Sequence, residues 1–119
     1  MMRKGNVLCA FRNAFRGIIY CARHERNMKI HLGAMVLVAF LAWWSKITKY
    51  ELLILVITVA SVLVAEMVNT AVETIVDMIS PEFHPMAKIA KDVAAGAVLI
   101  TAIVSLLVGY MLFFYRIWT

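Results

Sequence analysis

Glu66, Asn69, Glu73 and Asp77 are separated by 3, 4 and 4 positions. On a helix, at about 100° per residue, they form one narrow polar stripe rising about 16 Å. The run before the stripe, Leu52 to Ala65, is apolar apart from Thr58 and Ser61. Carboxylates attached to such a run cost about 2.5 to 3.5 kcal/mol each to insert in lipid, so they point to function rather than packing. Glu25, Lys91 and Asp92 add further charge beside other apolar runs. Glu25 and Glu73 are hard oxygen donors of the kind Mg²⁺ takes, one or two carboxylates with substrate phosphates completing the shell. Lys91 has the charge to hold a phosphate. Glu66 is the deepest of the stripe, about 10 Å below the nearer membrane surface if its helix starts near Leu52. Its partial desolvation suits it as a base toward a hydroxyl arriving from the lipid. Together these groups suggest phosphoryl transfer from a nucleotide to a lipid alcohol. The chain has neither a Walker GxxxxGK[ST] loop nor the glycine-rich kinase loop, so the design is unrelated to those enzymes.

The elements that position these residues are set by hydropathy. Of the 119 residues 64% are hydrophobic and 16% charged, against roughly a quarter charged in soluble domains. The mean hydropathy is +0.87. A soluble chain this short has too little polar side chain here to cover its surface, and disorder and a disulfide scaffold are excluded on the same composition. A membrane helix needs about 20 mostly apolar residues. The sequence predicts one membrane domain over 1–119: an N-terminal surface helix over 5–27, a first span over 28–46, a second over 51–79 and a third over 86–116. Trp43 and Trp44 read as interfacial anchors of the first span. Ser80-Pro81 and His84-Pro85 break the chain between the second and third, because proline cannot donate inside a helix and restricts the residue before it. Val7, Leu8, Phe11, Phe15, Ile18 and Ile19 recur at helical spacing with Arg12, Arg16 and Arg23 off that stripe, the pattern of an amphipathic helix lying in the interface.

Three spans put the termini on opposite sides. Arg3, Lys4, Arg12, Arg16, Arg23, Arg26 and Lys29 crowd the N-terminal flank against the single Glu25, whereas Lys46, Lys49 and Arg116 lie on the other side. The positive-inside rule then places the N-terminus, and the loop from Ser80 to Pro85, in the cytoplasm. The net charge of +5 reflects this orientation rather than nucleic-acid binding, since the basic residues flank apolar runs. Cys9 and Cys21 have no metal-ligand spacing and read as free thiols on the reducing side. Glu25, Glu73, Asp77, Lys91 and Asp92 are therefore expected in one cytoplasmic interfacial layer, with Glu66 just beneath.

The same residues carry a resemblance. The run from Ala65 to Asp77 is similar to the AExxNTAxExxxD signature of the small bacterial diacylglycerol kinase family. The run from Ala87 to Leu99 resembles its AKxxKDxAAGAVL motif. Arg23 to His31 resembles the RHExNxxxH segment of the branch made up mainly of undecaprenol kinases. The match runs from about Phe11 to Gly109 with the three motifs in order. The resemblance implies an all-α homotrimer of three-span protomers with an N-terminal surface helix, and active sites shared between neighbours, in the bacterial inner membrane. By position it implies Glu66 as catalytic base in contact with the lipid alcohol, and Glu25 and Glu73 as Mg²⁺ ligands. It implies ATP contacts from Glu25, Glu73, Asp77, Glu82, Phe83, His84, Lys91, Asp92 and Asn13, with Asn69 as a further polar residue of the site. Undecaprenol is the expected acceptor, and diacylglycerol the alternative.

Blander readings exist for each group. Polar residues glue membrane helices together, but four at helical spacing, three of them acidic, exceed what glue requires. Glu25 can pair with Arg26 or Lys29, Lys91 can snorkel, and Asp92 can favour the positive end of its helix. His24, His31 and His84 share no metal spacing; for the first two a hydrogen-bonded or interfacial role is expected. Gly96 and Gly109, with Ala94, Ala95 and Ala97, are expected to allow close helix packing. A small ion or proton transporter is the competing function class. It lacks ionisable groups in the outer half of each span to complete a crossing.

Overall fold

The structure, a computed structural model, describes residues 6–114. Arg3, Lys4, Arg116 and the outer ends of the expected 5–27 and 86–116 segments lie outside the described residues. Within these limits the chain is all helical: α1 (Val7–His24), α2 (Arg26–Ser45), α3 (Lys49–Ile79) and α4 (Pro85–Gly109), the last continued by a π-helical segment, Tyr110–Phe114.

Each boundary has a local cause. The Asn6 side chain accepts from the Cys9 N–H at 2.9 Å and starts α1. Lys46 closes α2 in the left-handed conformation, φ 56° and ψ 53°. Thr48 and Glu51 then exchange a capping box, 3.1 and 2.8 Å, at the start of α3. At the far end of α3 the chain leaves the helix at Ser80 ahead of Pro81. His84 Nδ1 accepts from the Met86 N–H at 3.1 Å, with Pro85 in the first turn of α4.

One boundary differs from expectation and matters for the site. The first helix does not run to residue 27: it stops at His24, and Arg26 to Lys29 belong to α2. Glu25 stands between them in extended backbone, φ −105° and ψ 120°. Its N–H donates to the Cys21 carbonyl at 3.0 Å, and its carbonyl accepts from the Lys29 N–H at 3.2 Å. Its carboxylate caps neither helix. The junction therefore leaves that carboxylate available for other work.

Three helices are long and apolar enough to cross a membrane: Arg26–Ser45, Lys49–Ile79 and Pro85–Phe114. At 1.5 Å per residue α3 is about 46 Å long, well beyond a hydrocarbon core of about 30 Å. The described residues form a slab of 53 × 40 × 20 Å, with α3 packed along α4 and α2 beside them. Ala42, Leu55 and Leu112 form the buried cluster, flanked by Val38, Ile47, Val59, Val108 and Phe113. This cluster ties the helices together at the Lys46 to Thr48 end. The Glu25 junction, the end of α3 and the start of α4 share the opposite end. Large apolar side chains such as Val36, Trp43, Ile57, Val93 and Leu106 remain exposed along the slab, as they must where the surrounding solvent is lipid.

The close packing expected at Gly96 and Gly109 is absent from the protomer. A Cβ built at either would meet no neighbouring atom within 4 Å. These two glycines therefore face open space or the groove between helices, while Ala94 is the buried small residue of α4.

Candidate active site

The α3 stripe runs toward the polar end of the slab and is buried where the sequence is most polar. Glu66 is 4% exposed and Asn69 8%. Both are shielded although much of the chain is open, and they continue the buried face of α3 that runs through Leu55, Thr58 and Val62. The hydroxyls nearby are satisfied within α3: Thr70 donates to the Glu66 carbonyl at 3.1 Å, and Thr74 to the Thr70 carbonyl at 2.8 Å. Asn69 is not so served. Its Oδ1 is the one buried side-chain polar atom without a hydrogen-bond partner among the described residues. A buried orphan acceptor costs about 1 to 3 kcal/mol, and such costs persist where function requires the group.

Three carboxylates lie within electrostatic reach of one another around this point. Glu25, from the α1–α2 junction, and Glu73, two turns along α3, both repel the Glu66 carboxylate electrostatically. Lys91, in the second turn of α4, forms a 2.6 Å ion pair with Asp77 and also feels the charge of Glu73. Glu25, Glu66, Glu73, Asp77 and Lys91 thus form one connected set, drawn from the α1–α2 junction, α3 and α4. The set is graded in exposure, from nearly enclosed at Glu66 to open at Asp77 and Lys91, whose side chains are 64% and 40% exposed.

Other sequence-derived candidates lie at the margin. Asp92 pairs with Lys88 at 2.6 Å, both side chains well exposed, so it is turned along α4. Asn13 sits three turns before the Glu25 junction, where its amide donates to Cys9 Sγ at 3.9 Å. Glu82, Phe83 and His84 make up the α3–α4 loop. The Glu82 carbonyl accepts from Ser80 Oγ at 2.9 Å, Phe83 is exposed, and His84 is occupied as the cap of α4. That loop adjoins Asp77 in sequence and closes the same end of the slab.

His31 was not expected here. Expected in a hydrogen-bonded or interfacial role, it projects from α2 toward α3, with Nε2 3.9 Å from Glu66 Oε2. Its spacing from Glu25, six residues, was visible in the sequence, but nothing in the spacing alone pairs α2 with Glu66. His24 follows expectation, its ring bonded to the Tyr20 carbonyl at 3.0 Å and stacked on the Tyr20 ring.

Among the described residues, no three His, Cys, Asp or Glu side chains converge to hold a metal by themselves. The donor set that is present fits a hard divalent ion sharing its shell with phosphate. Glu25 and Glu73 offer oxygen donors free of ion pairs among the described residues, and the orphan Asn69 Oδ1 lies between Glu66 and Glu73 on the same stripe.

Comparison with known proteins gives the family to which these elements belong. The family profile of prokaryotic diacylglycerol kinase matches residues 12–113. The chain belongs to the prokaryotic diacylglycerol kinase family. It is 38% identical over 104 residues to the undecaprenol kinase of Bacillus subtilis (strain 168), covering 87% of this chain and 85% of that protein. It is 39% identical over 105 residues to a diacylglycerol kinase of Synechocystis, spanning 87% of this chain but 60% of that longer protein. The diacylglycerol kinase of Escherichia coli (strain K12) is 34% identical over 74 residues, 62% of this chain and 61% of its own length. The matched interval contains every element that builds the polar set, from α1 through α4. Membership makes the chain a lipid kinase, and its three apolar helices make it a multi-pass membrane protein. The transporter reading of the same carboxylates is set aside.

Proposed function

We propose that this protein transfers the γ-phosphoryl group of ATP to the hydroxyl of a membrane lipid alcohol, with undecaprenol as the preferred acceptor and undecaprenyl phosphate as product. The observation that carries the reading is the graded polar set, with a buried carboxylate at Glu66 and exposed Asp77 and Lys91. A base that meets a lipid hydroxyl belongs at the buried end, and groups that meet a soluble nucleotide belong at the open end. Glu66 takes the proton of the attacking hydroxyl, and that oxygen displaces ADP from the γ-phosphorus in line. Lys91 holds a phosphate, with Asp77 fixing its ammonium group. Glu25 and Glu73 would hold Mg²⁺, which when bound offsets charge on the β and γ phosphates. Glu82, Phe83 and His84 line the nucleotide side.

The protein works in this reading as a homotrimer in the bacterial inner membrane, with the N-terminus and the site cytoplasmic. The helix α1 lies in the interface by its row of apolar residues from Val7 to Ile19. Undecaprenol is favoured over diacylglycerol because the Bacillus undecaprenol kinase is matched over most of its length, 85%, against 60% for the Synechocystis diacylglycerol kinase. The Arg23 to His31 segment points the same way.

The deciding experiment supplies the purified protein in lipid with labelled ATP and Mg²⁺, and undecaprenol or diacylglycerol separately. Faster labelling of undecaprenol is expected, with none when Mg²⁺ is chelated. Preferential labelling of diacylglycerol would replace the acceptor and leave the mechanism. Labelling of neither by the intact oligomer would end the lipid-kinase mechanism argued for these residues.

A further inference from the structure

His31 stands beside the centre of the polar set without a task in the mechanism above. Its ring lies beside Glu66, Nε2 to Oε2 3.9 Å, with the His31 side chain 24% exposed and that of Glu66 5%. That separation is beyond a hydrogen bond and within ion-pair reach. Among the described residues no other basic side chain is within 4.0 Å of the Glu66 carboxylate, while Glu25 and Glu73 both repel it. Without His31 the carboxylate would be pushed from two sides and held from none.

The same ring is also part of a groove. A cavity of about 370 Å³ runs between α2, α3 and the end of α4, with His31 at one end and Leu55, Val62, Leu106 and Phe113 along its walls. The hydroxyls of Thr58 and Ser105 in that lining are turned to their own helices, donating to the Ile54 and Ala102 carbonyls at 2.8 and 2.7 Å. They offer a ligand no donor. At the end nearest Glu66, the imidazole is the polar group that a molecule lying in the groove meets.

We propose that His31 is a positioning residue for the reaction: its ring holds the Glu66 carboxylate aimed at the end of this groove, where the hydroxyl of the lipid alcohol arrives. The inference rests on the reading of Glu66 as the base. Catalytic contacts are commonly long before substrate binds and shorten in the complex, and the 3.9 Å separation is of that kind. His31 acts through Glu66 and does not itself touch phosphate.

The test uses the full chain reconstituted in lipid, with His31→Ala, His31→Gln, Glu66→Gln and the His31→Ala/Glu66→Gln double variant. Thermal unfolding followed by tryptophan fluorescence controls for folding. With lipid alcohol varied at saturating ATP, His31→Ala should lower kcat by roughly tenfold to a hundredfold, the loss that follows removal of an orienting partner. The KM for ATP should not move. His31→Gln should recover much of the rate, because its amide nitrogen can stand near the place of the ring nitrogen and face the Glu66 carboxylate. The double variant should be no slower than Glu66→Gln. A normal kcat in His31→Ala, a raised KM for ATP, additive losses in the double variant, or unfolding of both His31 variants would each overturn the proposal. Wild-type rates in Glu66→Gln would instead remove the base assignment on which it stands, and that result is read independently of His31.

Discussion

At the residue scale, the telling feature is a set of side chains that are poor choices for stability. Glu66 is buried among like charges, and Asn69 carries a buried oxygen with no partner among the described residues. Both are costs that a purely structural membrane helix would shed. Asn69→Leu should therefore raise the unfolding temperature, by relieving an orphan worth about 1 to 3 kcal/mol, and at the same time depress phosphoryl transfer. Thermal unfolding and turnover measured on one preparation check both halves. A variant that is both more stable and fully active would show that Asn69 has no part in the site. The stripe itself was legible in the sequence, because spacing of 3, 4 and 4 residues defines a helix face without reference to any partner. What lay opposite that face was not. His31 sits on another helix, and its approach to Glu66 depends on how α2 and α3 cross.

At the element scale, helix ends decide where the chemistry stands. The single extended residue at Glu25 separates two helices and delivers a carboxylate that neither helix consumes. The sequence suggests a helix running on to residue 27, since nothing from Arg23 to Asn27 is a strong breaker. The break comes from α1 leaving the line of α2, which is a matter of packing rather than propensity. The opposite end is built on local signals. Thr48 and Glu51 form their capping box from residues close in sequence. Thr48→Ala should lower stability by about 1 kcal/mol, seen as a lower unfolding temperature. The KM values should stay as in the wild type, because that turn is at the end remote from Glu66. A changed KM for ATP would show that the two ends communicate.

At the scale of the whole molecule, the slab is incomplete as a soluble object and makes sense only with lipid around it. Few side chains are buried, and apolar residues cover both faces of the long helices. Two tests belong here. Cross-linking in native membranes should trap a species of three chains; a pattern ending at one or two would reject the trimer. Cys9 is partly exposed and Cys21 is buried 6% exposed. A membrane-impermeant thiol reagent should therefore label Cys9 in inverted vesicles and not in intact cells. Labelling from outside would reverse the orientation and move the polar set away from cytoplasmic ATP.

The sequence by itself determined the class of molecule, the three apolar helices, the polar stripe on α3 and the family, because hydropathy, helical periodicity and short motifs are properties of contiguous residues. Tertiary structure alone decided which carboxylates come near one another, that Lys91 answers to Asp77, and that His31 stands against Glu66. Those are relations between helices. Helix crossing and rotation are set by side-chain packing over the whole contact, and no single segment of the chain contains that information.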